Sequence, residues 1–124
     1  MEFFEEIKFV SINVKELNTM LSIKNLPILC SSINTVIKDD INKGSIYCLW
    51  GEFDINREEL NYGVRFSLPN CPNALAWSIT VEKNIKSLII HCTINKKEHD
   101  HDFIESIEEF ILAWKIGLRK NLKI

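Results

Sequence analysis

The sequence contains little glycine or proline, with four Gly and three Pro among 124 residues. This scarcity excludes collagen-like and low-complexity segments. The few Gly and Pro residues are expected to mark turns between helices and strands. The sequence also has no stretch near the roughly 18 uninterrupted apolar residues of a membrane helix. Its acidic start, Met1-Glu2-Phe3-Phe4-Glu5-Glu6, is unlike the cationic start of a secretory signal. We therefore expect a cytoplasmic protein that does not associate with membranes.

An excess of basic residues is also missing, since 15 Lys and Arg stand against 17 Asp and Glu and give a net charge of −2. Such a balance does not favour binding to a phosphate backbone, so we expect no nucleic-acid partner. Phosphate loops, dinucleotide fingerprints, nucleophile elbows and paired-cysteine zinc motifs are absent as well. No cofactor is therefore expected.

Four cysteines occur, and none forms a Cys-x-x-Cys pair. In a cytoplasmic protein they are expected to be free thiols. Cys71 lies in a turn rich in Pro and Asn, where it is a candidate nucleophile. No base can be assigned to it from the sequence, so an unreactive thiol is the favoured interpretation.

The length and the apolar content of 46% suit a single α+β domain over residues 1–124. Near the C-terminus, apolar residues recur at helical spacing and predict a long helix over 102–120, with Asp102 as its N-cap and Glu105 completing a capping box. The apolar stripe of this helix is Phe103, Ile107, Phe110, Ile111, Trp114 and Leu118.

Four segments before this helix alternate between apolar and polar residues, which is typical of strands. They are Ser45–Ile55, Tyr62–Leu68, Ala74–Glu82 and Lys86–Asn95. Because the connections between them are short, the strands are predicted to form an antiparallel meander with one apolar and one partly polar face.

The first forty residues are predicted to contain a strand at 6–13, a helix at 14–23 and a second helix that begins at Pro27 and ends near Gly44. The apolar face assigned to this second helix is Ile28, Leu29, Ile33, Val36, Ile37 and Ile41. The predicted fold is an antiparallel sheet of four to five strands packed against the long C-terminal helix, with two shorter N-terminal helices. This order of elements resembles a shortened helix-grip domain, in which a curved sheet wraps a terminal helix; the resemblance implies a fold and no function.

His91 and Arg65 are the strongest candidates for a site, because alternation places both on the polar sheet face. There, His91 is a candidate acid–base group and Arg65 a candidate anion clamp. Neighbouring strands offer Ser67, Ser78, Thr80 and Glu82 to the same face. The competing interpretation is a solvated face with no ligand, as in most antiparallel sheets.

Three further groups of residues are candidate site residues, and each also has a purely structural interpretation. His99 and His101 have a spacing that zinc ligands can have, but no third ligand lies at a diagnostic spacing, so no metal is expected. Trp50 precedes Gly51 and is either a ligand anchor or a core residue. Glu52 and Asp54 share a strand face. They are either an acid–base pair or the exposed, charged face of an edge strand, where charge discourages aggregation.

These observations favour a small non-catalytic binding or adaptor protein, of the kind that includes small chaperones and immunity proteins. Its expected partner is another protein or a second copy of itself. The alternative is a small ligand-binding protein or enzyme that uses the polar face around His91 and Arg65.

Overall fold

A computed structural model of the protein describes residues 1–9, 11–95 and 98–124. Within these residues the chain forms seven strands, three α-helices and two single turns of 3-10 helix at Ile23–Asn25 and Lys83–Ile85. The strands are β1 (Glu2–Lys8), β2 (Ile33–Asp39), β3 (Lys43–Cys48), β4 (Gly51–Leu60), β5 (Gly63–Ser67), β6 (Ala76–Glu82) and β7 (Ser87–Thr93). The helices are α1 (Val14–Met20), α2 (Leu26–Leu29) and α3 (His101–Leu122).

All seven strands belong to one antiparallel sheet with the order β1-β7-β6-β5-β4-β3-β2. Strands β2 to β7 follow one another as a meander, and β1 is added beside β7 at the far edge. The prediction of an α+β fold with a long C-terminal helix and two shorter helices is confirmed. The predicted count of four to five strands is wrong, because the sheet has seven.

The second predicted helix is the largest error, since only Leu26–Leu29 is helical and β2 follows at Ile33–Asp39. The spacing of the apolar residues there fits a helix, but Ile33, Val36 and Ile37 are β-branched, and such side chains fit a strand better. Pairing with β3 then decides the outcome, because the edge of that strand would otherwise stay unpaired.

Other predicted element boundaries also differ from the observed ones. The predicted strand Ser45–Ile55 is divided into β3 and β4 by a turn before Gly51, whose φ of 114° lies in the left-handed region that glycine favours. The strand expected at 6–13 is instead Glu2–Lys8, and Val10 lies outside the described residues. The N-cap of α3 is Asp100 and not Asp102, and the side chain of Asp100 makes no capping hydrogen bond.

Aromatic rings fill the space between α3 and the inner face of the sheet. The Trp77 ring lies 4.9 Å from that of Phe110 and 6.3 Å from that of Trp114, and Phe66 stacks on both indoles. All four side chains are buried. Because aromatic residues bury the largest apolar areas, this cluster contributes a large share of the stability.

Arg57, on the inner face of β4, joins this strand to the end of α1 and to the β2–β3 turn. Its guanidinium donates hydrogen bonds to the carbonyl oxygens of Asn18 and Leu21 at 2.8 and 2.7 Å, and to the amide oxygen of Asn42 at 3.3 Å. The first two are carbonyls at the end of α1, and the third lies in the β2–β3 turn. Arg57 thus satisfies open helix-terminal acceptors while it fixes the turn of the edge hairpin.

Gly117 permits the close contact between α2 and α3. A Cβ atom at this position would lie 1.8 Å from the carbonyl oxygen of Leu29. A glycine in a helix is normally less stable than alanine by about 1 kcal/mol. Its presence here is explained by the backbone of α2, which occupies the space of a side chain.

We therefore expect Gly117→Ala to lower the free energy of unfolding by about 1–3 kcal/mol, because the clash outweighs the gain in helix propensity. Urea denaturation of the two proteins measures the difference. A variant as stable as the wild type, or more stable, would contradict the close packing of α2 on α3.

Candidate functional site

The outer face of the sheet, opposite α3, brings together the residues predicted from alternation. Arg65 of β5 lies directly opposite Ser78 of β6, and Ser78 lies directly opposite His91 of β7. We call Arg65, Ser78 and His91 the polar row. A shallow depression of about 80 Å³ lies at this row, lined by Arg65, Ala76, Trp77, Ser78, His91 and Thr93.

Two residues of β1 complete the surroundings of His91, and neither was predicted from the sequence. The Nε2 atom of His91 lies 3.0 Å from a carboxylate oxygen of Glu2, and the Phe4 ring stacks on the imidazole at 4.4 Å. Phe4 pairs directly with His91 in the register of β1 and β7. These contacts hold the imidazole in one orientation and engage one of its nitrogens.

Arg65 can offer N–H donors to a small anion at the polar row, whereas the Nε2 atom of His91 is already engaged by Glu2. The cavity at the row is much smaller than the roughly 300–1,000 Å³ of sites that enclose a small molecule. The row therefore offers surface contacts more readily than a closed chamber for acid–base catalysis.

Trp50 is engaged within the protein. Its indole N–H donates a hydrogen bond to the hydroxyl of Ser106 at 2.9 Å, and its ring contacts Phe103 and Phe110 of α3. The residue fastens the β3–β4 turn to the helix. Glu52 and Asp54 are exposed on the outer face of β4. The prediction of an edge strand there is wrong, because β4 pairs with both β3 and β5.

The two histidines before α3 do not converge on a common ligand set. The His99 ring lies 5.2 Å from the ring of Phe103, while His101 is the exposed first residue of α3. Across the described ranges, no group of three or more His, Cys, Asp or Glu side chains is arranged to hold a metal ion.

The four cysteines are free thiols. Burial raises the pKa of Cys30 and of Cys92 to about 12, and it also raises the pKa of Cys48. Cys71 is half-buried in the turn after β5, where its backbone N–H donates to the carbonyl oxygen of Leu68. Since the thiolate is the nucleophile, the three buried thiols are unreactive near neutral pH.

The β2–β3 hairpin, residues 33–48, forms a second candidate surface. The sequence had predicted a helix up to Gly44 and a strand from Ser45. β2 is the last strand of the sheet, and in the described part of the chain it pairs with β3 alone. Ile37, Ile41 and Tyr47 are exposed along the hairpin. Ile41, in its turn, has a φ of 71°, which is unusual for a β-branched residue.

Comparison with known proteins gives a fold and no function. No model of a protein family matches the chain, and no curated protein is detectably similar to it. The crystal structure of an uncharacterized protein from Bacillus thuringiensis is similar, with a TM-score of 0.59 and 12% sequence identity over 92% of this chain and 94% of that one. The likeness concerns the fold alone. In the described residues, no helix combines the length and the apolar character needed to span a bilayer.

The difference in burial between Cys71 and the other three cysteines can be tested by the reactivity of their thiols. We expect Ellman's reagent at about pH 8 to modify Cys71 first in the native protein, with the other three thiols reacting only after unfolding. A Cys71→Ser variant is the control and should lose the early reaction. Early reaction of several thiols, or an early reaction that survives in the variant, would contradict the placement.

Proposed function

We propose that this chain is a non-catalytic binding protein that acts in the cytoplasm as an adaptor, of the chaperone-like or immunity-like kind, and that the β2–β3 hairpin holds its protein partner. The observation that carries the proposal is Ile41, an apolar residue in strained backbone at an exposed turn. Four free thiols agree with a reducing compartment.

The backbone conformation of Ile41 is unfavourable, and contacts within the chain do not compensate for its free-energy cost. The left-handed region costs an L-residue about 1–2 kcal/mol, and a β-branched side chain tolerates it poorly. The side chain is 77% exposed, so no packing within the protein offsets the cost. Hydrogen bonds hold the turn: the N–H of Ile41 donates to the carboxylate of Asp39, and the N–H of Asp40 to the carbonyl of Lys43. Strain of this kind tends to be retained where function requires it.

The free edge of β2 adds a second means of recognition. An unpaired strand edge presents backbone N–H and C=O groups to which an extended segment of another protein can pair. Exposed Ile37 and Tyr47 offer apolar contacts beside it. The bulges in β2 and the charges of Lys38 and Asp39 oppose indiscriminate pairing with other edges.

A photo-crosslinking residue at position 47 tests the proposal. Tyr47 and Tyr62 are matched, because they are 50% and 52% exposed. Tyr47 lies on β3 of the hairpin, and Tyr62 lies in the turn between β4 and β5. We expect p-benzoylphenylalanine at position 47 to crosslink a distinct protein in cells of the source organism, while the same residue at position 62 does not. Equal products from both positions, or none from position 47, would refute the role of the hairpin.

Ile41→Gly provides a variant that separates binding from folding. Glycine accepts the left-handed conformation, so we expect the free energy of unfolding to stay the same or to rise by about 1 kcal/mol. The crosslink from position 47 should weaken in this background, because the apolar side chain is lost. Ile85→Gly, another exposed isoleucine outside the hairpin, should leave the crosslink unchanged.

The register of the polar row favours a second candidate, a small-ligand protein or enzyme that uses His91 and Arg65. The ladder brings these residues onto one face with Ser78 between them, as the sequence analysis expected of a site. The guanidinium of Arg65 matches the chemistry of a small anion such as a carboxylate or phosphate group.

NMR titration with inorganic phosphate tests this second candidate. We expect saturable shifts at His91 and Arg65 that disappear in His91→Ala and Arg65→Met, with melting temperatures near that of the wild type. Arg119→Met, which removes an exposed arginine far from the polar row in sequence, is the control and should bind as before. Shifts that persist in the first two variants would show that the row does not bind the anion.

A further inference from the structure

We propose that the exposed side of α3 is the contact surface for a second copy of this chain, with the two α3 helices packed antiparallel. This surface does not include the β2–β3 hairpin, so the inference does not depend on the function proposed above. It rests on an apolar centre and on a charge pattern that is complementary to itself.

The apolar centre is a second stripe on α3, separate from the stripe that faces the sheet. Leu112 and Ile116 are 47% and 61% exposed and lie one helical turn apart, so they share a face. Ile28 of α2 is also exposed, and α2 packs on α3 at Gly117, the residue that follows Ile116 in the chain. Apolar residues exposed together in this way mark interaction surfaces.

The charges on this side of α3 are divided between its two halves. Glu109, Glu108 and Glu105 precede Leu112 by three, four and seven residues. Arg119, Lys120 and Lys123 follow Ile116 by the same three, four and seven residues. All six side chains are exposed. The acidic and basic halves are therefore mirror-spaced about the apolar pair.

This spacing selects a second copy, and it selects one orientation. A two-fold axis between Leu112 and Ile116 sets Leu112 against Ile116 of the partner copy, as an isologous interface requires. The same axis brings the acidic half of each helix beside the basic half of the other. A parallel pair would place like charges together, which disfavours it.

The extent of the contact indicates a dimer of modest affinity. α3 is about 33 Å long at 1.5 Å per residue, and only one side of it takes part. A contact this limited belongs to the smaller protein interfaces, so association is expected to depend on concentration. Because the paired charges are exposed, salt should weaken the dimer.

Sedimentation velocity of the full chain over about 1 µM to 1 mM measures the association. Two charge-swap variants test its orientation: a basic variant with Glu105→Lys, Glu108→Lys and Glu109→Lys, and an acidic variant with Arg119→Glu, Lys120→Glu and Lys123→Glu. We expect each variant alone to be monomeric and an equimolar mixture to form a heterodimer. Such rescue requires that opposite halves of two α3 helices meet.

Ile116→Lys keeps the inference testable if a charge-swap variant fails to fold, which circular dichroism would reveal. This variant should weaken the dimer at least tenfold, while Ile85→Lys, which alters an isoleucine of similar exposure elsewhere, should not. A wild-type protein that stays monomeric at about 1 mM would overturn the inference. So would a dimer that survives Ile116→Lys, or folded charge-swap variants whose mixture stays monomeric.

Discussion

The packing of α3 on the inner face of the sheet is the constraint on which the other features depend. The helix is fastened at several points: Trp50 bonds to Ser106 near its start, Lys115 forms an ion pair with Glu5 of β1 at 3.0 Å, and Gly117 receives the backbone of α2. Between these points the indoles of Trp77 and Trp114 are buried together. Because this arrangement gives the sheet an inner face, it also decides which residues remain outside: the polar row, the exposed hairpin and the second stripe of α3.

The elements best predicted from the sequence are those whose periodicity agrees with local propensity. The alternation of Leu75, Trp77, Ile79 and Val81 matched β6, and the stripe from Phe103 to Leu118 matched α3 within two residues at its end. The region of β2 could not be predicted in this way, because its apolar spacing is helical while its β-branched residues favour a strand. Only the pairing with β3, which depends on the rest of the sheet, resolves that conflict.

The positions of the candidate residues were predictable to the same degree. Alternation along single strands was enough to place Arg65 and His91 on one face, and the register, which the sequence did not predict, sets them in one row. Glu2 and Phe4 could not be found, because their contact with His91 joins strands at opposite ends of the described chain. The left-handed conformation of Ile41 could not be predicted from the sequence either, because a β-branched residue such as isoleucine is rarely found at such a position.

The pairing of β1 with β7 has a consequence for the way the chain is made. Residues 2–8 leave the ribosome before their partners at 87–93, which are synthesised 79 to 91 residues later. Until then β1 has no neighbour in the described sheet, and β6 is the open edge of the growing meander. Contacts of such long sequence separation slow folding. The described sheet is therefore completed only after β7 has emerged, and α3 follows β7 in the chain and covers the inner face.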